Sequence, residues 1–144
     1  MLKRFSVLLL ALIFTFGATM VSAAGEIAPL RASQYLQRYT VVLSAKGDGR
    51  MLVTMVVDGV GVQDKIGVAK IDIDEKVNGK WDYYDTLFAV DHPEFYEYDT
   101  RDYLGEVSFY GTPGNSYRVT LLVYAEKDGG WDTGDITSYT VECK

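Results

Sequence analysis

Ile66-Gly67-Val68-Ala69-Lys70-Ile71-Asp72-Ile73-Asp74-Glu75-Lys76-Val77-Asn78-Gly79-Lys80-Trp81 decides the fold class. Ala69, Ile71 and Ile73 alternate with Lys70, Asp72 and Asp74, the period of a strand with one apolar and one wet face. Asn78-Gly79 then supplies two adjacent residues that tolerate positive φ, as a type I′ hairpin turn requires. A second strand is expected to follow at once.

The pattern repeats outward in both directions. Met51, Val53, Met55 and Val57 share one face, and Val107 and Phe109 alternate with Ser108 and Tyr110. Val119, Leu121 and Val123 alternate with Arg118, Thr120, Leu122 and Tyr124. Seven strands are predicted, at Tyr35–Ser44, Met51–Val57, Ile66–Asp74, Lys80–Phe88, Glu106–Tyr110, Tyr117–Ala125 and Thr137–Glu142. Lys46-Gly47-Asp48-Gly49, Gly111-Thr112-Pro113-Gly114-Asn115 and Asp128-Gly129-Gly130 separate them, and Gly59-Val60-Gly61 reads as a turn or bulge. Ala28–Gln37 holds the one candidate helical turn. Short strands with polar turns predict an all-β, two-sheet antiparallel β-sandwich.

Composition sets the outer limits. The chain has 144 residues, 48% apolar and 24% charged, with net charge −6. That suits one folded domain and argues against disorder. The acidic balance argues against nucleic acid as a partner. A lone cysteine, Cys143, excludes an intrachain disulfide framework and a Cys₄ zinc site. It is expected to be an unpaired thiol near a frayed end.

The N-terminus reads as an address. Lys3 and Arg4 precede an apolar run from Phe5 to Phe16, and Val21-Ser22-Ala23-Ala24 offers small residues for a peptidase. A secretory signal peptide over residues 1–23 is expected, with cleavage after Ala23, and after Ala24 as the close second. Removing 23 residues leaves 121, with 12 bases against 20 acids and net charge −8. The single domain then spans 24–144, released outside the cell, with membrane contact only during export.

Gly111-Thr112-Pro113-Gly114-Asn115-Ser116-Tyr117 and the strand after it resemble the E–F corner and F strand of fibronectin type III and other immunoglobulin-like domains. The resemblance implies that Tyr117 hydrogen-bonds back to its loop and that Asp128-Gly129-Gly130 is the F–G turn, with Ile136–Val141 as the G strand. The immunoglobulin Cys pair is absent, so only architecture carries over. The wider pattern, Tyr39–Gly49, Ile66–Lys76, Asn78–Trp81 and the Tyr117 strand, resembles a group of small exported proteins of Clostridia and related Gram-positive bacteria, a domain of unknown function. That resemblance implies export and a β-sandwich and brings no catalytic residue.

Asp82–Glu106 is the least ordinary stretch. It carries eight acids against one base, Arg101, interleaved with Tyr83, Tyr84, Phe88, Phe95, Tyr96, Tyr98 and Tyr103. Read as a loop, it can stack rings on sugars and accept hydrogen bonds from hydroxyls, or it can simply be a solvated crossover. The candidate ligand-binding residues are Tyr96, Tyr98 and Tyr103 as stacking groups, Asp99 and Asp102 as acceptors, and Trp131 in the F–G turn. Trp81 is read as packed over a sheet edge. Asp128–Asp135 offers carboxylates but lacks the EF-hand spacing, so no metal and no cofactor are expected. His92, the only histidine, lies between Asp91 and Pro93 without a nucleophile motif, so no catalytic residue is expected. The expected function is a secreted, non-catalytic binding module acting at a polysaccharide or protein surface. The alternatives are a structural protein pairing through edge strands and, behind it, a small hydrolase.

Overall fold

The computed structural model describes residues 26–27 and 33–144, so the expected leader and its cleavage site lie outside the described residues. The strands are β1 (Glu26–Ile27), β2 (Leu36–Gly47), β3 (Arg50–Val77), β4 (Lys80–Phe88), β5 (Tyr96–Tyr110), β6 (Ser116–Lys127), β7 (Gly130–Thr137) and β8 (Val141–Glu142). All pair antiparallel in one curled sheet. Among the described residues the only helical piece is a 3₁₀ turn at Pro93–Phe95, and no helix is long and apolar enough to cross a membrane. The helical turn expected over residues 28–37 is not formed in its described part. Ser33 Oγ instead accepts the N–H groups of Tyr35 and Leu36, and the chain enters β2.

Three hairpins use the same turn chemistry. Asp48-Gly49, Asn78-Gly79 and Asp128-Gly129 all have positive φ at both positions, at 55° and 78°, 50° and 77°, and 52° and 80°. Those values fit the twist of the flanking strands.

The second and third predicted strands are one strand of 28 residues. Gly59–Val62 is a bulge inside it, standing against Arg101 alone, between the pairs Asp58–Asp102 and Gln63–Thr100. Gly61, at φ 74°, makes the bulge possible without ending the strand. β3 therefore organises the whole sheet. One edge pairs with β5 over Arg50–Gly67 and then with β4 over Lys70–Val77. The other edge pairs with β2 and then with β6. Ala69, expected on the core face with Ile71 and Ile73, is the extra residue of a second bulge, where Val68 and Lys70 oppose Val123 and Leu122. That shift keeps Ile66 and Val68 buried on one side of it and Ile71 and Ile73 on the other.

The curl closes over one core. Met51, Val53, Met55, Ile71, Ile73, Val119, Leu121 and Val123 are all fully buried. Each such side chain contributes about 1.5–3 kcal/mol by leaving water. Tyr35 and Tyr39 lay their hydroxyl ends against Gly130 and Gly134, where a Cβ would overlap them, so β7 lies close to β2.

Two strand expectations are corrected at the ends. The β5 strand begins at Tyr96, not Glu106, because the acidic stretch pairs with β3. The last long strand is Gly130–Thr137 rather than Thr137–Glu142, so Trp131 sits on β7 beyond the turn. The C-terminus is tied down, not frayed. Cys143 exchanges backbone hydrogen bonds with Asn115 and Gly114, and Lys144 O accepts from the Gly49 N–H. The Cys143 side chain is buried, which keeps its thiol from cross-linking copies of the folded chain.

Candidate functional site

The site arises where one strand path leaves the sheet. β4 and β5 run along the same edge of β3, but Phe88 faces Lys70 and Tyr96 faces Gly67. Residues 89–95 therefore make an excursion over a gap of two β3 residues, Val68 and Ala69. Ala89 N–H holds Ala69 O at 3.0 Å, Asp91 N–H holds Phe88 O at 3.0 Å, and Phe95 N–H holds His92 O at 2.9 Å. Pro93 starts the 3₁₀ turn, where its missing N–H costs nothing. Phe95 is fully buried, and His92 stacks on it at 4.7 Å and 12°.

The excursion leaves an open groove of about 560 Å³. Phe88, Val90 and Pro93 line it from the excursion, and Tyr96 and Tyr98 from β5. Ala69 and Ala89 keep it open through their small side chains, and Lys65 is its one charged lining residue. Phe88, Val90 and Tyr98 are exposed, at 49%, 87% and 62%.

A band of rings continues from the groove across the sheet. Gly67 pairs with Tyr96 on one side and Tyr124 on the other. With no side chain between them, those two rings meet edge to face at 6.0 Å. Tyr124 in turn stacks with Trp131 at 6.1 Å and 21°. Lys65 Nζ lies 4.1 Å from the Tyr96 ring centre and 5.5 Å from that of Tyr124, a cation–π arrangement. The Tyr124 hydroxyl donates to Glu126 at 2.7 Å. Burial, then that hydrogen bond, pushes Tyr124 up to about 12, and burial raises Tyr96 as well.

These shifts give a pH prediction. Tyr84, Tyr96, Tyr103, Tyr117 and Tyr124 all hold their protons more tightly folded than at the ordinary value of 10.0. Their stabilisation is fully present below pH 10. It is lost as pH rises toward 12, because there the unfolded chain releases those protons first. Thermal melts are expected to hold their midpoint up to about pH 9.5 and to drop steadily through pH 11. An unchanged midpoint at pH 11 would contradict the burial of these hydroxyls.

The sequence-predicted residues divide into groups. Tyr96 and Tyr98 line the groove, and Trp131, 61% exposed, joins it through Tyr124. Asp99 is exposed beside Tyr98 at φ 52°, outside the groove lining. Asp102 belongs to another patch. It lies 3.8 Å from Arg101 and opposite Asp58, which Arg38 grips at 2.7 Å. Tyr103 is a core residue at 1% exposure, its hydroxyl donating to Glu94 O, so its ring is not available for stacking on a ligand.

Sequence reasoning missed Lys65, Val90 and Tyr124, and counted Phe88 among the rings of the acidic stretch without naming it a candidate. The outward half of the β6 alternation already held Tyr124. Phe88-Ala89-Val90, an apolar triplet before Asp91, marked the point where the strand stops alternating.

Rings and aliphatic groups face solvent beside one ammonium. His92 is committed to Phe95 and to the Glu94 carboxylate at 3.0 Å, a hydrogen bond that holds Glu94 below its ordinary value. Trp81 is half-buried under the Arg118 guanidinium at 4.2 Å, which itself binds Asp74. Among the described residues no three His, Cys, Asp or Glu side chains gather to hold a metal. No protein family, curated protein or solved structure matches the chain.

Proposed function

We propose that the chain is an exported, non-catalytic binding module that holds a polysaccharide chain in the β4–β5 groove. The observation that carries this is the gathering of exposed and half-buried rings, with Phe88, Tyr98 and Tyr96 lining an open cleft and Tyr124 and Trp131 continuing from Tyr96 across the sheet. Sugar rings offer apolar faces to such side chains and hydroxyls to the polar groups at the rim. On this reading Asp99, next in sequence to Tyr98 and outside the groove lining, accepts from a sugar hydroxyl beyond the rim.

The fold reading that goes with it is a two-layer β-sandwich of the immunoglobulin or fibronectin type III kind. Two features support it: the Tyr117 hydroxyl accepts the Thr112 N–H at 2.7 Å, as a corner tyrosine does, and the Tyr35 and Tyr39 contacts with β7 draw two halves of the sheet together. Export rests on the leader pattern of residues 1–23 and on the resemblance to the small Gram-positive proteins.

Trp131 reports binding directly, because its exposed indole is stacked on Tyr124. Fluorescence titration against a panel of soluble neutral and acidic oligosaccharides is expected to give a saturable change with at least one of them. Tyr98→Ala should weaken that binding about tenfold or more, while the Asp102→Ala variant, altered in the other patch, should bind as the parent does. Flat titrations with the entire panel would overturn the reading.

A further inference from the structure

The outer edge of β5 from Asp102 to Tyr110 lies apart from the groove lining. β5 pairs with β3 on one side; on its other side, among the described elements, its backbone comes close only to the Pro93–Phe95 turn, and the Tyr84 side chain of β4 reaches it at Tyr110. Exposed edges in natural sheets are normally short, bulged or guarded by Lys or Pro. β4, on the same side of β3, follows that rule, with a bulge at Tyr84 between the pairs Ile73–Asp85 and Asp74–Tyr83. β5 does not. From Asp102 to Tyr110 it pairs with β3 without a register shift and contains neither Lys nor Pro.

Two hydrogen bonds show which peptide groups face outward. Asp102 O accepts the Thr100 hydroxyl, and Tyr110 O accepts the Tyr84 hydroxyl. Peptide groups alternate along a strand. The even-numbered residues 102–110 therefore present their N–H and C=O groups away from β3. The same residues carry exposed apolar side chains, Leu104 at 67% and Tyr110 at 68%.

We propose that two copies of this chain join by antiparallel pairing of their β5 edges about a two-fold axis at Val107. In that register Glu106 and the partner's Ser108 exchange backbone hydrogen bonds, and Leu104 lies opposite the partner's Tyr110. Charge agrees with the choice. Arg50 Nη1 is 3.4 Å from Ser108 Oγ, so each Arg50 guanidinium stands where the partner's Glu106 carboxylate arrives. An axis at Glu106 would set the two Glu106 carboxylates against each other, which is unfavourable. The Val107 axis also brings the two half-buried Val107 side chains together at a non-hydrogen-bonded pair, where strands approach most closely.

Two experiments test the pairing. Sedimentation over a wide concentration range should show a monomer–dimer equilibrium. Glu106→Arg or Arg50→Glu alone should weaken it about tenfold or more, and the double exchange should restore it. Separately, Val107→Cys should form a disulfide-linked dimer in oxidised glutathione, because a non-hydrogen-bonded pair sets Cα atoms within bridging distance. Ser108→Cys, which faces the partner's Glu106, should not. Cys143 is 1% exposed and gives no background. A parent protein that stays monomeric at all concentrations would overturn the proposal. Dimerisation indifferent to both charge reversals, or equal cross-linking at 107 and 108, would do the same.

Discussion

Gly67→Ala is expected to destabilise the fold by about 3 kcal/mol or more and to detach the start of β5 from β3. Gly67 has φ 153°, a conformation that side chains rarely adopt. The space is closed as well. A Cβ there would overlap the carbonyl oxygen of Phe95 and come within 3.0 Å of Tyr96 Cα. Both obstacles are backbone, so no rotamer change relieves them. Relief must come from β5 moving away, which withdraws Phe95 from the core and Tyr96 from Tyr124. The melting midpoint should fall by roughly 10 °C or more. Any oligosaccharide binding should weaken with it, because the groove and the ring band share this point. A loss below about 1 kcal/mol would show that the β5 strand does not approach β3 as closely as described.

Tyr117→Phe is expected to cost about 2 kcal/mol, although the ring stays. Tyr117 is fully buried, and its rim contacts Tyr84 and Phe109 edge-on at 5.3 and 5.7 Å. Phenylalanine keeps those contacts. What it loses is the hydroxyl, which accepts the Thr112 N–H at 2.7 Å and donates to Glu75 Oε2 at 2.7 Å. Glu75 would keep only its bond from Asn115 at 3.0 Å. One peptide N–H and one carboxylate oxygen would thus lose their partner in a partly buried place, the expensive way to remove a hydrogen bond. The midpoint should drop by roughly 5–10 °C while the groove, far along β6 from Tyr117, binds as before. Stability within about 0.5 kcal/mol of the parent would mean that this corner is held by ring packing alone.

Much of this fold could be read from residue order. Alternation located the core faces of β3 and β6, and three Asp-Gly or Asn-Gly pairs became the three hairpin turns. β4 has its predicted bounds, Lys80–Phe88. The continuity of β3 was hidden by Gly59 and Gly61, because a glycine that breaks a strand and one that permits a bulge look alike. The start of β5 was hidden by its charges. Glu97, Asp99 and Asp102 suggested a loop, yet an edge strand with a solvated side carries such residues freely.

That misreading also explains the mixed outcome for the candidate site. Tyr96 and Tyr98 have even numbers, and Tyr103 and Phe109 odd ones. Once the stretch is seen as a strand, the period of two sends the first pair outward and buries the second. Tyr103 was therefore separable from the groove by spacing alone. Lys65 and Tyr124 were not, since their meeting with Tyr96 depends on the pairing of β3 with both β5 and β6, a non-local fact.

Nuclear magnetic resonance shift mapping with a bound oligosaccharide tests the role of the groove most directly. The amides of Phe88, Val90 and Tyr98 and the indole N–H of Trp131 should move together and saturate at one ligand concentration. If a sugar binds but shifts only residues elsewhere on the sheet, or if nothing in a broad panel moves these signals, the ring-lined cleft is not a binding site.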